Sequence, residues 1–370
     1  MTPPAPNTEA NRAMVQLTRL ARGWSKQQLA DAAGVSGSHV SRVESGALPV
    51  TGTMLVDYAQ ALQCPPAALC VPFTISPALC TCSRAPHAAA EWKRDRVWAR
   101  ANLIAMRLGR LTAHADIEPV LALPERDSTD DPDQQDTTLA AHAVRRLWRL
   151  TDPIHSMIGL LEAAAVFVVS EDFCDPTVDA VTLRANHHHP HLVYVNAALP
   201  EDRMPTTLAQ QLGHLVMDAV TPASPAQTHR RAATFAAEFL APIDAIAADL
   251  HRVSEQTIYE LDELQTTWRV PLSSLVVRAR EHGILSDHHY RAIFRRLNET
   301  GRMHPRPAST EQPQLVAAVL KQLTTAGYTN SELDDITLLT HAQRTELFHL
   351  DADRPRIRHL ANTSCPPRHA

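Results

Sequence analysis

The sequence predicts a mainly α-helical chain with one small antiparallel sheet, an α+β fold divided among several domains. Three observations carry this. Apolar residues recur at helical spacing through the first seventy residues and again over 206–218. Three short runs between 166 and 195 are rich in β-branched and aromatic residues. With 370 residues, the chain is long enough for two or three separate cores.

Composition narrows the class. The net charge is −5, 44% of residues are hydrophobic, and no apolar run reaches membrane-spanning length. Met1 to Asn11 lacks the basic start and apolar middle of a signal peptide, so the expectation is a soluble cytoplasmic protein with no membrane association. Lys26, Lys93 and Lys321 stand against a large excess of arginine, which reads as the codon bias of a GC-rich genome. Cys64, Cys70, Cys80 and Cys82 cluster, whereas Cys174 and Cys365 are isolated; in a cytoplasm these are thiols or metal ligands before they are disulfides.

The first element follows a Pro-rich tail at 1–11. Leu17, Leu20 and Ala21 share one helical face, and Leu29, Ala30 and Ala33 a second. Ser25 is a fitting N-cap, Gly34-Val35 a tight turn, Ser36 a further N-cap for a helix carrying Val40 and Val43, and Gly46 can close it. Short helices around such a turn predict a helix-turn-helix bundle over 12–70. The run Trp24-Ser-Lys-Gln-Gln-Leu-Ala-Asp-Ala-Ala-Gly-Val-Ser-Gly-Ser-His-Val-Ser-Arg-Val-Glu-Ser-Gly46 resembles the Cro/C1-type, or XRE-type, helix-turn-helix family. By that resemblance Gly37, Ser38, Ser41 and Arg42 face the major groove of double-stranded DNA, His39 also reaches toward it, and Lys26 meets a phosphate. Gly37 replaces the long polar side chain common at its position. A single unit reads a half-site, which implies a homodimer. Five basic against three acidic residues over 12–63 make a weak electrostatic footprint, so a purely protein-binding use is the alternative.

Residues 71–123 read as a helical bridge. Glu91 to Arg100 and Asn102 to Leu108 have helical spacing, with Trp92, Val97 and Trp98 on a mixed face suited to a spacer or dimer contact. The cysteine spacing x5, x9, x1 matches no common zinc pattern, so no metal is assigned to Cys64, Cys70, Cys80 and Cys82. Residues 124–136 are acidic and turn-rich, as a solvated linker is.

Over 137–300 a second domain begins with a helix around Ala140 to Leu150. Asp152-Pro153 then opens another, Ile154 to Ala164. Val166 to Val169, Val178 to Leu183 and Leu192 to Val195 follow as strands of an antiparallel sheet, and Asn186-His-His-His-Pro190 fits a hairpin connection. His187, His188, His189 and His191 read as a loop, since adjacent histidines cannot all point at one ion. Next comes the helix Thr206 to Asp218, whose apolar face is Leu208, Leu212, Leu215 and Val216.

On its neighbouring face stand Gln210, Gln211 and His214, where a zincin helix has H-E-x-x-H. From Asp152 through Thr207-Leu-Ala-x-x-Leu-Gly-His-Leu, Ala232-Ala-Thr-Phe-Ala-Ala-Glu-Phe-Leu-Ala-Pro242 and Trp268-Arg-Val-Pro-Leu-Ser-Ser-Leu the chain resembles the ImmA/IrrE family of zinc metallopeptidase-like domains. The resemblance implies a minimal zincin fold with two His ligands, a Glu general base and a third Glu ligand. Those positions are Gln210, Gln211, His214 and Arg231 here, so no metal, cofactor or catalytic residue is expected and the chain reads as no enzyme. Glu238, seven residues after Arg231, lies on a similar face, where an ion pair with Arg231 and a role as rescue ligand are equal alternatives, and it is not assigned to metal.

Residues 301–350 form a helical carboxy-terminal segment with Thr329-Asn-Ser-Glu332 as a cap, and 351–370 a tail. Taken together the sequence predicts a DNA-binding transcription regulator whose peptidase-like domain is inactive and senses a small molecule or protein. The alternatives are an active zinc metallopeptidase acting on a repressor and a metal- or redox-sensing regulator.

Overall fold

A computed structural model describes residues 9–83, 91–124, 137–200, 203–217, 225–254, 257–301 and 311–350. Of the linker expected at 124–136 and the tail expected at 1–11, residues 125–136 and 1–8 lie outside the described residues, as does the whole tail at 351–370.

The head comprises α1 (Arg12–Ala21), α2 (Lys26–Ala33), α3 (Gly37–Glu44), α4 (Gly52–Ala61) and α5 (Pro66–Leu69). Its helix ends are where the local chemistry puts them. Ser25 caps α2 and forms a reciprocal capping box with Gln28, Gly34 adopts the left-handed conformation after α2, and Ser36 accepts the His39 N–H at the start of α3. Val15, Leu29, Val40, Val43, Leu55 and Tyr58 close the head's own core.

Beyond it follow β1 (Cys80–Ser83), α6 (Glu91–Thr112), α7 (Thr137–Leu147), α8 (Met157–Ala163), β2 (Phe167–Glu171), β3 (Val178–Leu183) and β4 (Leu192–Asn196). The sheet order is β1-β3-β4-β2. It is mixed, which corrects the antiparallel expectation. β3 and β4 form the expected hairpin, with Ala180 opposite Val195, but β4 then runs beside β2 in the same direction, Phe167 opposite Leu192. β2 therefore pairs across the sheet with β4 and not with the strand that follows it. β1, from the bridge, extends the other edge antiparallel to β3.

β3 and β4 are buried along their whole length, as strands covered on both faces are. Val168, Ala180, Val193 and Val195 face one core, and Phe167, Val169, Val181, Leu192 and Tyr194 the other. The first core is shared with α7, α8 and the helices α9 (Met204–Met217), α10 (Pro225–Leu240), α11 (Ile243–Leu250), α12 (Glu260–Trp268), α13 (Leu272–Glu281) and α14 (Asp287–Glu299).

α8 starts later than its sequence suggests. Ser156, not Asp152-Pro153, supplies the N-cap, accepting the Gly159 N–H at 2.9 Å, while the Asp152 carbonyl accepts from Arg145 instead. Glu311 reinforces this start, accepting from the Ser156 hydroxyl and from the Ile158 N–H, each at 3.0 Å.

The bridge helix α6 belongs to two cores at once. Val97, Ala101, Ile104, Leu108 and Leu111 lie against the sheet, while Ala99, Leu103 and Met106 lie against Met14, Leu17 and Ala21 of α1. Each large side chain so buried contributes about 1.5–3 kcal/mol. Gly109 admits the β3–β4 hairpin: a Cβ there would sit 1.8 Å from the His188 carbonyl oxygen. The segment leading into β1 is also pinned. Asn102 and Trp98 hold the Ser76 backbone, and the Ser76 hydroxyl bonds His189 Nε2 and Asn186 Nδ2.

Last come α15 (Leu315–Thr325), α16 (Asn330–Thr337) and α17 (His341–Leu347), packed on β2 and α6 through Val316, Val319, Leu323 and Leu333. Their punctuation repeats that of the head at a constant offset of 304 residues. Gly327 corresponds to Gly23, the Thr329–Glu332 capping box to Ser25–Gln28, left-handed Leu338 to Gly34, and the Thr340 cap to Ser36. Both copies carry Gly-aromatic-Ser/Thr with Leu four residues on, Gly23-Trp-Ser25 with Leu29 and Gly327-Tyr-Thr329 with Leu333.

Candidate functional site

Ser38 and Arg42 are exposed on α3, and Lys26 is exposed at the start of α2; Ser41 is half-buried between them and the head. The two helices are held together from beneath. Arg19 of α1 donates to both carboxylate oxygens of Glu44, at 2.5 and 3.0 Å, and Lys26 Nζ lies 3.7 Å from the same carboxylate. Such a two-pronged, largely buried pair fixes the angle at which α3 leaves the head.

Gly37 is occupied in a way its sequence does not show. A Cβ there would meet Gln27 Oε1 at 2.6 Å, so the Gln27 amide, steadied by Asp31, fills the space of a longer side chain. Gln27 is thus a residue of this face that sequence reasoning missed. His39 differs from its neighbours: its ring packs 6.2 Å from Tyr58 and its Nε2 is buried. Burial pushes the Tyr58 hydroxyl up to about 12, with Glu44 adding to the effect.

The second candidate site is on α9. Gln211 and His214 are fully buried, while Gln210 is half-buried. Gln211 is built into the fold: its Oε1 accepts from Thr182 Oγ1 of β3 at 2.8 Å and its Nε2 faces the Thr207 carbonyl. α10 lies close against α9, because Gly213 leaves room for Phe235, whose ring is 3.0 Å from where a Cβ would stand. Arg231, on α10, has its Nε and one terminal nitrogen buried without a hydrogen-bond partner among the described residues.

Residues 15–69 match the family described as Helix-turn-helix, and residues 162–280 that described as IrrE N-terminal-like domain. The chain joins an XRE-type helix-turn-helix to an ImmA/IrrE-like domain. No curated protein and no solved structure matches it. The ImmA/IrrE-like domain belongs to a peptidase family, and the XRE-type head is of a DNA-binding kind. Among the described residues no helix is long and apolar enough to cross a membrane.

Within the ImmA/IrrE-like domain, of the alternatives open for Glu238 the ion pair with Arg231 is not formed. Glu238 instead bonds His142 Nε2 at 2.6 Å, Arg278 and the Ile243 N–H. Burial opposes its charge, yet these partners outweigh it and hold the carboxyl below its usual range.

The histidine-rich hairpin is structural. His189 is buried against Ser76, and His191 accepts the Ala185 N–H. Burial, with Arg184 and His189 nearby, pushes His191 down to about 4. Cys64 and Cys70 line the head's core, and burial pushes the Cys64 thiol up to about 11 against the pull of Arg107 and Arg22. Cys80 and Cys82 stand on β1, with their backbones paired to Thr182 and Ala180.

Proposed function

We propose that this chain is a cytoplasmic, sequence-specific transcription regulator that binds DNA as a homodimer and whose ImmA/IrrE-like domain is a pseudo-peptidase sensing a small molecule or protein. The observation that carries the second half is the position of Gln211. At the place of the general base stands an amide that cannot take a proton at neutral pH, buried and tied to Thr182. Zinc takes thiolate, imidazole or carboxylate donors, and of Gln210, Gln211, His214 and Arg231 one offers such a group while another brings a positive charge. This donor set does not fit zinc.

Ser38, Ser41 and Arg42, with Lys26 and the neighbouring Gln27, supply the reading face; Gly37 makes room for Gln27 and His39 supports the face from within. Selection of duplexes from a random pool by the full-length protein tests the first half. Enrichment of a near-palindromic sequence whose binding is salt-sensitive and is lost in Ser38→Ala/Arg42→Ala is expected. Undiminished specific binding by that variant sinks the assignment. Stoichiometric zinc in the same preparation, with proteolysis abolished by His214→Ala, would establish the peptidase reading instead.

A further inference from the structure

We infer that Trp92, at the start of α6, is a DNA-backbone contact lent to the helix-turn-helix from outside it. This rests on the head being a DNA reader. The large apolar side chains farther along α6, Leu103, Ile104 and Met106, are buried, whereas Trp92 is 54% exposed.

Its placement is specific. Gly23 turns the chain from α1 to α2 with φ of +71°, and a Cβ at that turn would lie 3.7 Å from the Trp92 ring and 3.2 Å from the Arg96 side chain. The indole therefore covers the turn that ends, two residues later, in the Ser25 cap of α2. In a helix-turn-helix the helix before the recognition helix crosses the sugar-phosphate backbone, and helix N-termini are suited to phosphate. Trp92 stands at the outer rim of that end.

The basic side chains around the indole outnumber the acidic ones, which include Glu91 beside it and Asp95 one turn on. Arg22 lies 4.5 Å over the Trp24 ring on one side of the turn, Lys93 Nζ 5.9 Å from the Trp92 ring on the other, and exposed Lys26 follows. Asp175 offsets part of the Lys93 charge, at 2.8 Å. An indole N–H donates and cannot accept, which matches a phosphate oxygen, and it carries no base preference. α6 thus widens a footprint that the head alone makes weakly.

The test uses the full-length protein, a labelled duplex recovered by the selection above and a scrambled duplex of equal length. Trp92→Ala is expected to weaken both by about fivefold, the worth of one hydrogen bond, leaving their affinity ratio unchanged. Trp92→Phe, which keeps a ring and loses the donor, should weaken both to a similar degree, and hydroxyl-radical protection outside the half-site should retreat in both variants. Circular dichroism should match the wild type, and the melting temperature should fall by no more than about 5 °C, since half of the side chain is in solvent. Affinities within twofold of wild type overturn the inference, as does a fall in molecular mass by light scattering with unchanged affinity per dimer, which would make Trp92 a contact between copies. Failure of the wild type to enrich any duplex would refute the DNA-reading head itself.

Discussion

Glu238→Leu should cost the ImmA/IrrE-like domain several kcal/mol. The carboxylate is 3% exposed and its partner Arg278 is 6% exposed, so removing one leaves the other charged and buried. Breaking such a pair costs about 3–5 kcal/mol. For a domain of this size that lowers the melting temperature by about 10 °C. Replacing both, as Glu238→Leu/Arg278→Met, should recover most of the loss. The remainder reflects the carbonyls of Ala237 and Ala241, to which Arg278 also donates. The wild-type pair has a pH signature too. Because the folded carboxyl titrates below its usual range, its stabilisation is complete above the unfolded pKa of about 4.3 and is lost as pH falls through the lower folded value. Urea titrations of wild type and both variants at pH 7 and at pH 3.5 check this. A single substitution costing under about 1 kcal/mol at pH 7, or a double one costing more than the single, would refute the account of Glu238 as a buried tie between α7, α10 and α13.

Three further outcomes are expected. Thr182→Val should destabilise by about 1–3 kcal/mol, because the buried Gln211 oxygen loses its donor, and Thr182→Val/Gln211→Leu should recover part of this in thermal melts. His191, held near 4, contributes stability that is full above its unfolded pKa of about 6.5 and is lost as pH falls toward 4; proton resonances of the imidazole followed through that window should show no titration around pH 6.5 and a midpoint near 4. The Cys64 thiol, pushed up to about 11, stays protonated at neutral pH, so alkylation at this position, read by peptide mass spectrometry, should remain slow until pH exceeds about 10. Rapid labelling at pH 7 would favour the redox-sensor reading.

What the sequence made legible was mostly local. The caps at Ser25, Ser36 and Thr329 and the left-handed Gly34 lie within four residues of the helices they delimit, and each is found where propensity puts it. The hairpin between β3 and β4 was visible for the same reason. The direction of β2 was not, because its partner is twenty-five residues away and both faces of the sheet are buried, leaving no polar alternation to mark register. Helical phase sets Glu238 on the side of Arg231, but its partners, His142 and Arg278, come from α7 and α13, which no local pattern on α10 announces. His39 sits among exposed positions in sequence, and its inward turn depends on Tyr58, nineteen residues on. The two-sided burial of α6 was hidden because its residues at 99, 101 and 105 are alanines, which serve a core and a surface equally well.

The repeated punctuation at an offset of 304 residues separates shape from chemistry within one chain. Helices α1 to α3 carry five basic and two acidic residues from Arg12 to Glu44, whereas α15 to α17 carry two basic and four acidic ones from Leu315 to Leu350. Where the first copy buries Val40 beside Ala30, the second joins Arg344 to Asp334. Where the first exposes Arg42, the second exposes Glu346. The two share an outline and differ in charge, and the left-handed residue of the second, Leu338, is buried beside α1 and α6.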